Sequence, residues 1–245
     1  MADDRDARFL TTQWTRILGP EDNSTDSGSE ALILLCETYH YPVYAFIRNR
    51  CGDPEKARDL SQGFFEFLIE KKLYRSADRE RGRFRTFLLA AVKNYLNKDF
   101  RDANTQKRGG SEQTVSIDMI EMENHYQSGL STIVPPDTFF DHEWAVTVFD
   151  QVWETLENEY RQMDQGERFN SLRSYLTNPA DCPPFSELAA QLNTTEGAIK
   201  AAVFRLKRRF RDLFRLAVSQ IVDNPADVDE EIRYLIEASS IEAKG

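Results

Sequence analysis

Cysteine is scarce in this 245-residue chain: Cys36, Cys51 and Cys182 share no CxxC spacing and have no paired histidines near them. A disulfide framework and a thiolate zinc site are thereby excluded as organising devices, and the thiols are expected to be free. Histidine is as rare, with only His40, His125 and His142. A metal-dependent hydrolase built on one of them has no motif beneath it. His142-Glu143 lacks the second histidine of an HExxH helix, and neither a glycine-rich phosphate loop nor a nucleophile elbow is present. The expectation is a non-catalytic protein with no cofactor and no metal. No run approaches the roughly 18 to 20 apolar residues that cross a bilayer. MADDRDARF at the N-terminus has no apolar signal core, so no membrane insertion and a cytoplasmic location are expected. Alternating, strand-like runs are nearly absent, and no internal repeat is found.

What is present is apolar residues at helical spacing almost throughout, which makes the fold class all-α. EALILLCETYHYPVYAFIRNR reads as one helix or a pair broken near Pro42, and Gly52-Asp53-Pro54 punctuates it. Pro54 suits the first turn of the next helix, with Asp53 as its cap. In PEKARDLSQGFFEFLIEKK, Ala57, Leu60, Phe64, Phe67 and Leu68 share one stripe, leaving Asp59, Gln62 and Glu66 elsewhere on the surface. An Arg-rich loop, RSADRERGR, leads to a long helix from about Phe84 to Asn104, and QKRGGSEQ stops it. Residues 111 to 143 hold seven Asp/Glu and no Lys or Arg, with Gly129 and Pro135-Pro136 inside. Periodicity resumes at Asp137 and runs through WAVTVFDQVWETLENEYRQM and ERFNSLRSYL. The expected organisation is an N-terminal segment 1–30, a helical domain 31–110, an acidic linker 111–136, a second helical domain 137–222 and a C-terminal extension 223–245.

The formal net charge is −10, yet the basic residues are gathered. Lys71 to Arg108 carries twelve Lys/Arg against four Asp/Glu, and Glu196 to Arg215 carries seven against two, leaving −23 for the rest. Two basic islands on an acidic chain grip a polyanion locally while the overall charge keeps the molecule off non-specific nucleic acid.

The second island contains FSELAAQLNTTEGAIKAAVFRLKRRF, whose chemistry fits a helix-turn-helix. Leu188, Leu192, Ile199 and Val203 sit where two short helices bury residues against each other, and Ala189 is small enough for close approach. Asn193 stands where a left-handed backbone is needed, and Thr195 caps a second helix opening at Glu196. In this motif the start of the second helix enters the major groove. Its outward residues are Glu196, Lys200, Ala201, Phe204 and Arg205, extended by phosphate-reaching Lys207, Arg208, Arg209 and Arg211.

This stretch resembles the C-terminal promoter-binding domain of bacterial RNA polymerase sigma factors of the extracytoplasmic-function (ECF) group, in which a Glu-Gly pair opens the recognition helix and a basic run closes it. ARDLSQGFFEFLI resembles the helix that docks on the polymerase clamp. GRFRTFLLAAVKNYLNKDFRDANTQKRGG resembles the helix that melts and reads the −10 element. These stretches cover most of residues 31–110 and 137–222. ADRERGRFRTFLL, QKRGG and NPADVDEEIRYL resemble a subgroup common in planctomycete-type bacteria.

The resemblance implies a dissociable specificity subunit whose partners are core RNA polymerase and promoter DNA, with an anti-sigma factor or regulatory kinase as its regulator. It assigns Asp59, Gln62 and Phe65 to polymerase binding, with Leu60 and Phe64 in the core. It assigns Arg83, Arg85, Lys93, Asn94, Lys98 and Arg101 to the −10 element, where the loop Ser76 to Arg83 holds a flipped base and Arg85, Lys93 and Arg101 follow the phosphates. Phe87 stands where many relatives have Trp. Thr195, Glu196, Lys200, Ala201, Phe204, Arg205, Lys207 and Arg208 are assigned to the −35 element, and Ala202 replaces a frequent Arg, implying one contact fewer. The linker either threads toward the polymerase cleft or RNA exit path, where its negative charge mimics RNA, or is a solvated tether. A helix-turn-helix regulator that binds duplex DNA but not polymerase explains the second island and leaves the first without a role.

Val228, Ile232, Leu235 and Ile236 give the extension an amphipathic helix, with Asp227, Asp229, Glu230 and Glu231 crowding its start. Two uses are open: permanent packing on a domain, or covering a basic face through Arg208, Arg211 or the island near Lys98.

Overall fold

The computed structural model describes residues 25–76, 84–103, 122–123, 126, 134–219, 222 and 225–240. The regular elements among them are helical and no strand occurs among them, as the periodicity dictates. In chain order they are α1 (Thr25–Cys51), α2 (Pro54–Glu70), a 3-10 turn (Leu73–Ser76), α3 (Phe84–Ala103), α4 (Pro136–Gln162), α5 (Gly166–Leu172), α6 (Ser174–Thr177), a 3-10 turn (Pro179–Asp181), α7 (Phe185–Gln191), α8 (Glu196–Ser219), a 3-10 turn (Pro225–Asp227) and α9 (Val228–Ser239).

The described residues form two compact units, one from 25–148 with 218–240 and the other from 149–217. Residues 137–148, expected in the second domain, and α9, expected as a separate extension, therefore both cluster with the first unit. The reason lies in α4, whose early turns carry Phe139, Phe140, Trp144 and Val148, all fully buried. Phe140 meets Phe46 of α1 edge-on at 6.2 Å and Trp144 stacks on Tyr39 at 6.4 Å. An apolar face of this size is stable only when covered, and it outweighs the composition change that marked 111–136 as the boundary.

In the first unit, α1 is one continuous helix with Pro42 inside it. An interior proline costs about 3 kcal/mol. The buried run Val43, Tyr44, Ala45, Phe46 and Ile47 beside it offsets that cost. Gly52, at φ 74, ends α1 with its N–H on the Arg48 carbonyl at 3.0 Å. Asp53 then caps α2, its Oδ1 accepting from the amides of Glu55 and Lys56 at 2.9 and 3.2 Å, with Pro54 in the first turn. Where α2 meets α3, a Cβ on Gly63 would lie 2.6 Å from the Tyr95 hydroxyl, and the Tyr95 ring packs on Phe64 and Phe67 at 5.7 and 5.6 Å.

Within the expected linker, Glu123 is bound to α1. It accepts from the Tyr44 hydroxyl at 2.6 Å and from Arg48 Nη2 at 2.9 Å, while the Arg48 guanidinium lies 4.9 Å from the Tyr126 ring. Tyr126 in turn meets Phe139 edge-on at 5.8 Å. Residues 104–121, which include the expected start of the linker, lie outside the described residues.

The second unit is held by an aromatic series. Phe149 stacks on Phe214 at 4.5 Å, Phe214 on Phe210 at 6.3 Å, and Trp153 contacts Phe210 and Phe169, each at 5.7 Å. Such pairs contribute about 0.5–1.5 kcal/mol each beyond their burial. Val152, Leu156, Leu172, Leu206 and Leu213 complete the core.

Candidate nucleic-acid interface

The turn between α7 and α8 is built from local rules. Leu188 and Ala189 of α7 are buried, as are Ile199 and Val203 of α8. Asn193 adopts φ 49, the left-handed region that Asn tolerates. The Leu192 amide closes the helix on the Leu188 carbonyl at 3.0 Å, and the Asn193 conformation then lets the Thr194 amide reach the Ala189 carbonyl at 2.9 Å, which helps to satisfy the end of α7. Thr195 opens α8, its Oγ1 accepting from the Ala198 amide at 3.2 Å. Leu192, expected in the shared core, is instead 38% exposed.

At 100° per residue, Glu196, Lys200, Ala201, Phe204, Arg205, Lys207 and Arg208 fall on one half of the α8 circumference, and all are exposed. Thr195 is exposed at its head. Phe204 is 63% exposed, an unusual position for an aromatic that no neighbour covers. Lys200 pairs with Glu196 at 2.6 Å and Arg208 with Asp212 at 3.9 Å. Exposed pairs of this kind contribute little, so both cations can exchange a carboxylate for a phosphate at small cost. Arg209 differs from its neighbours: it turns toward α4, where Glu159 takes its guanidinium. Ala202 is buried, so the absence of an arginine there removes nothing from the exposed face. Beside this face lies a groove of about 620 Å³ lined by Phe149, Trp153, Phe204 and Phe210, with Lys207 and Arg211 among its lining.

In the first unit, Asp59 and Gln62 are exposed on α2, Gln62 donating to Glu66 at 3.0 Å. Phe65, expected beside them, is 7% exposed and packs on His40 and Phe64 at 5.8 and 5.5 Å. It contributes to a cleft of about 400 Å³ that Gln62, Ile69 and Met122 also line.

The residues expected at the −10 element are scattered. Asn94 and Lys98 are exposed on α3. Arg83 lies outside the described residues, as does the Arg101 side chain. Lys93 is paired with Asp137 of α4. Arg85, expected on a phosphate, is instead 4% exposed. Its Nη1 donates to Glu231 of α9, its Nε lies 3.4 Å from Asp141, and its guanidinium sits 4.8 Å from the Trp144 ring and 4.2 Å from the Tyr234 ring. Burial and a hydrogen bond to Asp141 push the Tyr234 phenol up to about 12. Phe87 is half-buried against Phe84 at 5.8 Å.

Glu231 is the residue that sequence reasoning missed. The expected apolar stripe of α9 ran through Ile232 and Ile236, but the buried line is Val228, Glu231, Leu235 and Ala238, and Ile236 is 48% exposed. A carboxylate spaced three after Val228 and four before Leu235 is the signal that a buried cation awaits it. His142 Nδ1 lies 3.1 Å from Glu143, and among the described residues no three His, Cys, Asp or Glu side chains are placed to hold a metal. No described helix is long and apolar enough to cross a membrane.

Compared with known proteins, the chain matches no family model, no curated protein and no solved structure.

Proposed function

We propose that the chain is a sigma-type specificity subunit of bacterial RNA polymerase, of the ECF group, which directs promoter recognition and strand opening and carries out no catalysis itself. In this reading α7 and α8 are a helix-turn-helix that reads the −35 element, α2 docks on core polymerase, and α3 engages the −10 element. The observation that carries it is the exposed face of α8: cations, a methyl group and an uncovered aromatic arrayed on one half of a helix whose start is fixed by Asn193 and Thr195. These are the groups that pair with phosphates and base edges. Exposed Asp59 and Gln62 on α2 support the polymerase contact, and the aromatic groove beside α8 supports a second one.

A second reading is a duplex-DNA regulator that never binds polymerase. It is favoured by the occupation of Arg85 and Lys93 with carboxylates, which leaves the basic face of α8 as the readier polyanion site. Gel shifts on promoter DNA with and without purified core polymerase, followed by transcription from the same fragments, decide between them. A sigma factor forms a larger complex with core enzyme and starts transcripts; a regulator shifts DNA identically in both lanes.

A further inference from the structure

Arg85 and Glu231 stand 146 residues apart in sequence and are both buried. A buried ion pair adds little net stability compared with apolar packing, yet each partner is costly to leave alone in the interior, so the two are held or released together. Around Arg85, two carboxylates, Asp141 and Glu231, face one guanidinium from two helices, with an aromatic ring within cation–π reach on α4 and another on α9. Oxygen acceptors about a guanidinium with stacking rings beside it are the same set that a nucleotide offers through its phosphate and base. Of these four groups, two belong to α9 (Glu231 and Tyr234) and two to α4 (Asp141 and Trp144).

We propose that α9 is an autoinhibitory latch. Glu231 and Tyr234 occupy the place on α3 that a single-stranded phosphodiester takes, and α9 must leave before Arg85 can bind it. Removal of α9 takes one acceptor and one ring from Arg85, leaving the guanidinium against Trp144 with Asp141 as its remaining carboxylate. At about 100° per residue Asn94 and Lys98 face the other side of α3 from Arg85, so the site is Arg85 with Lys93, which trades Asp137 for phosphate. A tether through Asp141 persists until α9 is gone, because the Tyr234 phenol bonds to that carboxylate as well. Binding at α3 and release of α9 are then one equilibrium, and any ligand that prefers the open form shifts it. The inference rests on α3 being the strand-binding helix of the function proposed above.

The test uses the full chain, Glu231→Gln, a chain ending at Asn224 and the double variant Glu231→Gln/Arg85→Ala. Anisotropy of a short labelled single-stranded DNA reads binding, amide exchange over 228–239 reads the latch, and a core-polymerase pull-down reads the parent function. Glu231→Gln is expected to speed exchange in α9 and tighten oligonucleotide binding about tenfold, as a latch populated mostly closed requires. The double variant should keep the fast exchange and lose the gain. Should the truncated chain fail to fold, Glu231→Gln alone decides. Faster exchange with unchanged oligonucleotide affinity, while polymerase is still captured, overturns the latch and leaves the proposed function standing. Failure of every variant to bind oligonucleotide or polymerase overturns both.

Discussion

Arg209 of α8 and Glu159 of α4 form a two-point ion pair, with Nε donating to Oε2 at 2.8 Å and Nη2 to Oε1. The bond to Glu159 raises the Arg209 pKa above its ordinary range. It removes one arginine from the basic run, while the buried Ile199, Val203, Leu206 and Leu213 set the rotation of α8 that turns the neighbouring cations outward. The Arg209 side chain is 46% exposed, so solvent screens the pair. Glu159→Ala is expected to cost about 0.5–1 kcal/mol, read as a lower urea midpoint at constant slope. An unchanged midpoint would assign Arg209 to solvent.

On the α8 face, Lys200→Ala and Arg205→Ala are expected to weaken binding of a −35-containing duplex. A base-contacting residue costs about 1–3 kcal/mol in a sequence-dependent way, and a phosphate-contacting one costs less on every sequence. Competition gel shifts at two salt concentrations separate the two roles. Wild-type affinity in both variants would move the recognition surface off α8.

Asp59 and Gln62 lie in the open on α2, so replacing both with Arg should change stability by less than about 0.5 kcal/mol while abolishing capture of core polymerase. Circular dichroism checks the fold and a pull-down checks the binding. Capture at wild-type level would refute the docking role proposed for α2.

Asn193 sits at φ 49. Asn193→Gly should be tolerated because glycine enters the left-handed region freely. Asn193→Val should destabilise the second unit by about 1–2 kcal/mol, because a β-branched side chain is strained in that conformation and lacks the short polar group that lets asparagine adopt it. Thermal unfolding of the two variants side by side tests the difference, and equal midpoints would contradict it.

Burial lifts the phenols of Tyr41, Tyr44 and Tyr234, the last to about 12, while an unfolded tyrosine ionises near 10. The unfolded chain therefore gives up its protons first as pH rises. The stability these groups contribute is complete below about pH 10 and drains away as pH climbs through the folded values. Urea midpoints should hold steady to about pH 9 and fall above about pH 10, and Tyr234→Phe should make that fall shallower. An identical slope in the variant would detach Tyr234 from the alkaline transition.

Features governed by neighbouring residues were legible in the sequence. Asp53 before Pro54, Asn193 in the turn and Thr195 before Glu196 each act within a few positions of themselves, and each stands where local chemistry puts it. Features governed by distant partners were not. Arg85 reads as a surface cation because nothing within a helical turn announces Glu231. On α2 a single stripe suggested Phe67 inside and Phe65 outside, but the helix faces both α1, through His40, and α3, through Tyr95. Its buried face is therefore wider than one stripe, and Phe65 falls within it. The composition change at 111–136 likewise said nothing of Phe139, Phe140 and Trp144, whose packing carries the start of α4 into the first unit.

Gly63 and Tyr95 are bound to a common mutational fate. Alone, Gly63→Ala places a methyl group 2.6 Å from the Tyr95 oxygen, so the ring must shift and its displacement is set against a helix gain of about 1 kcal/mol. Tyr95→Phe removes that oxygen and leaves the nearest ring carbon at 3.7 Å, an ordinary contact. With phenylalanine in place, the same alanine becomes an improvement. The benefit of one substitution thus depends on the other, and the helix gains its methyl most easily once the ring has lost its hydroxyl.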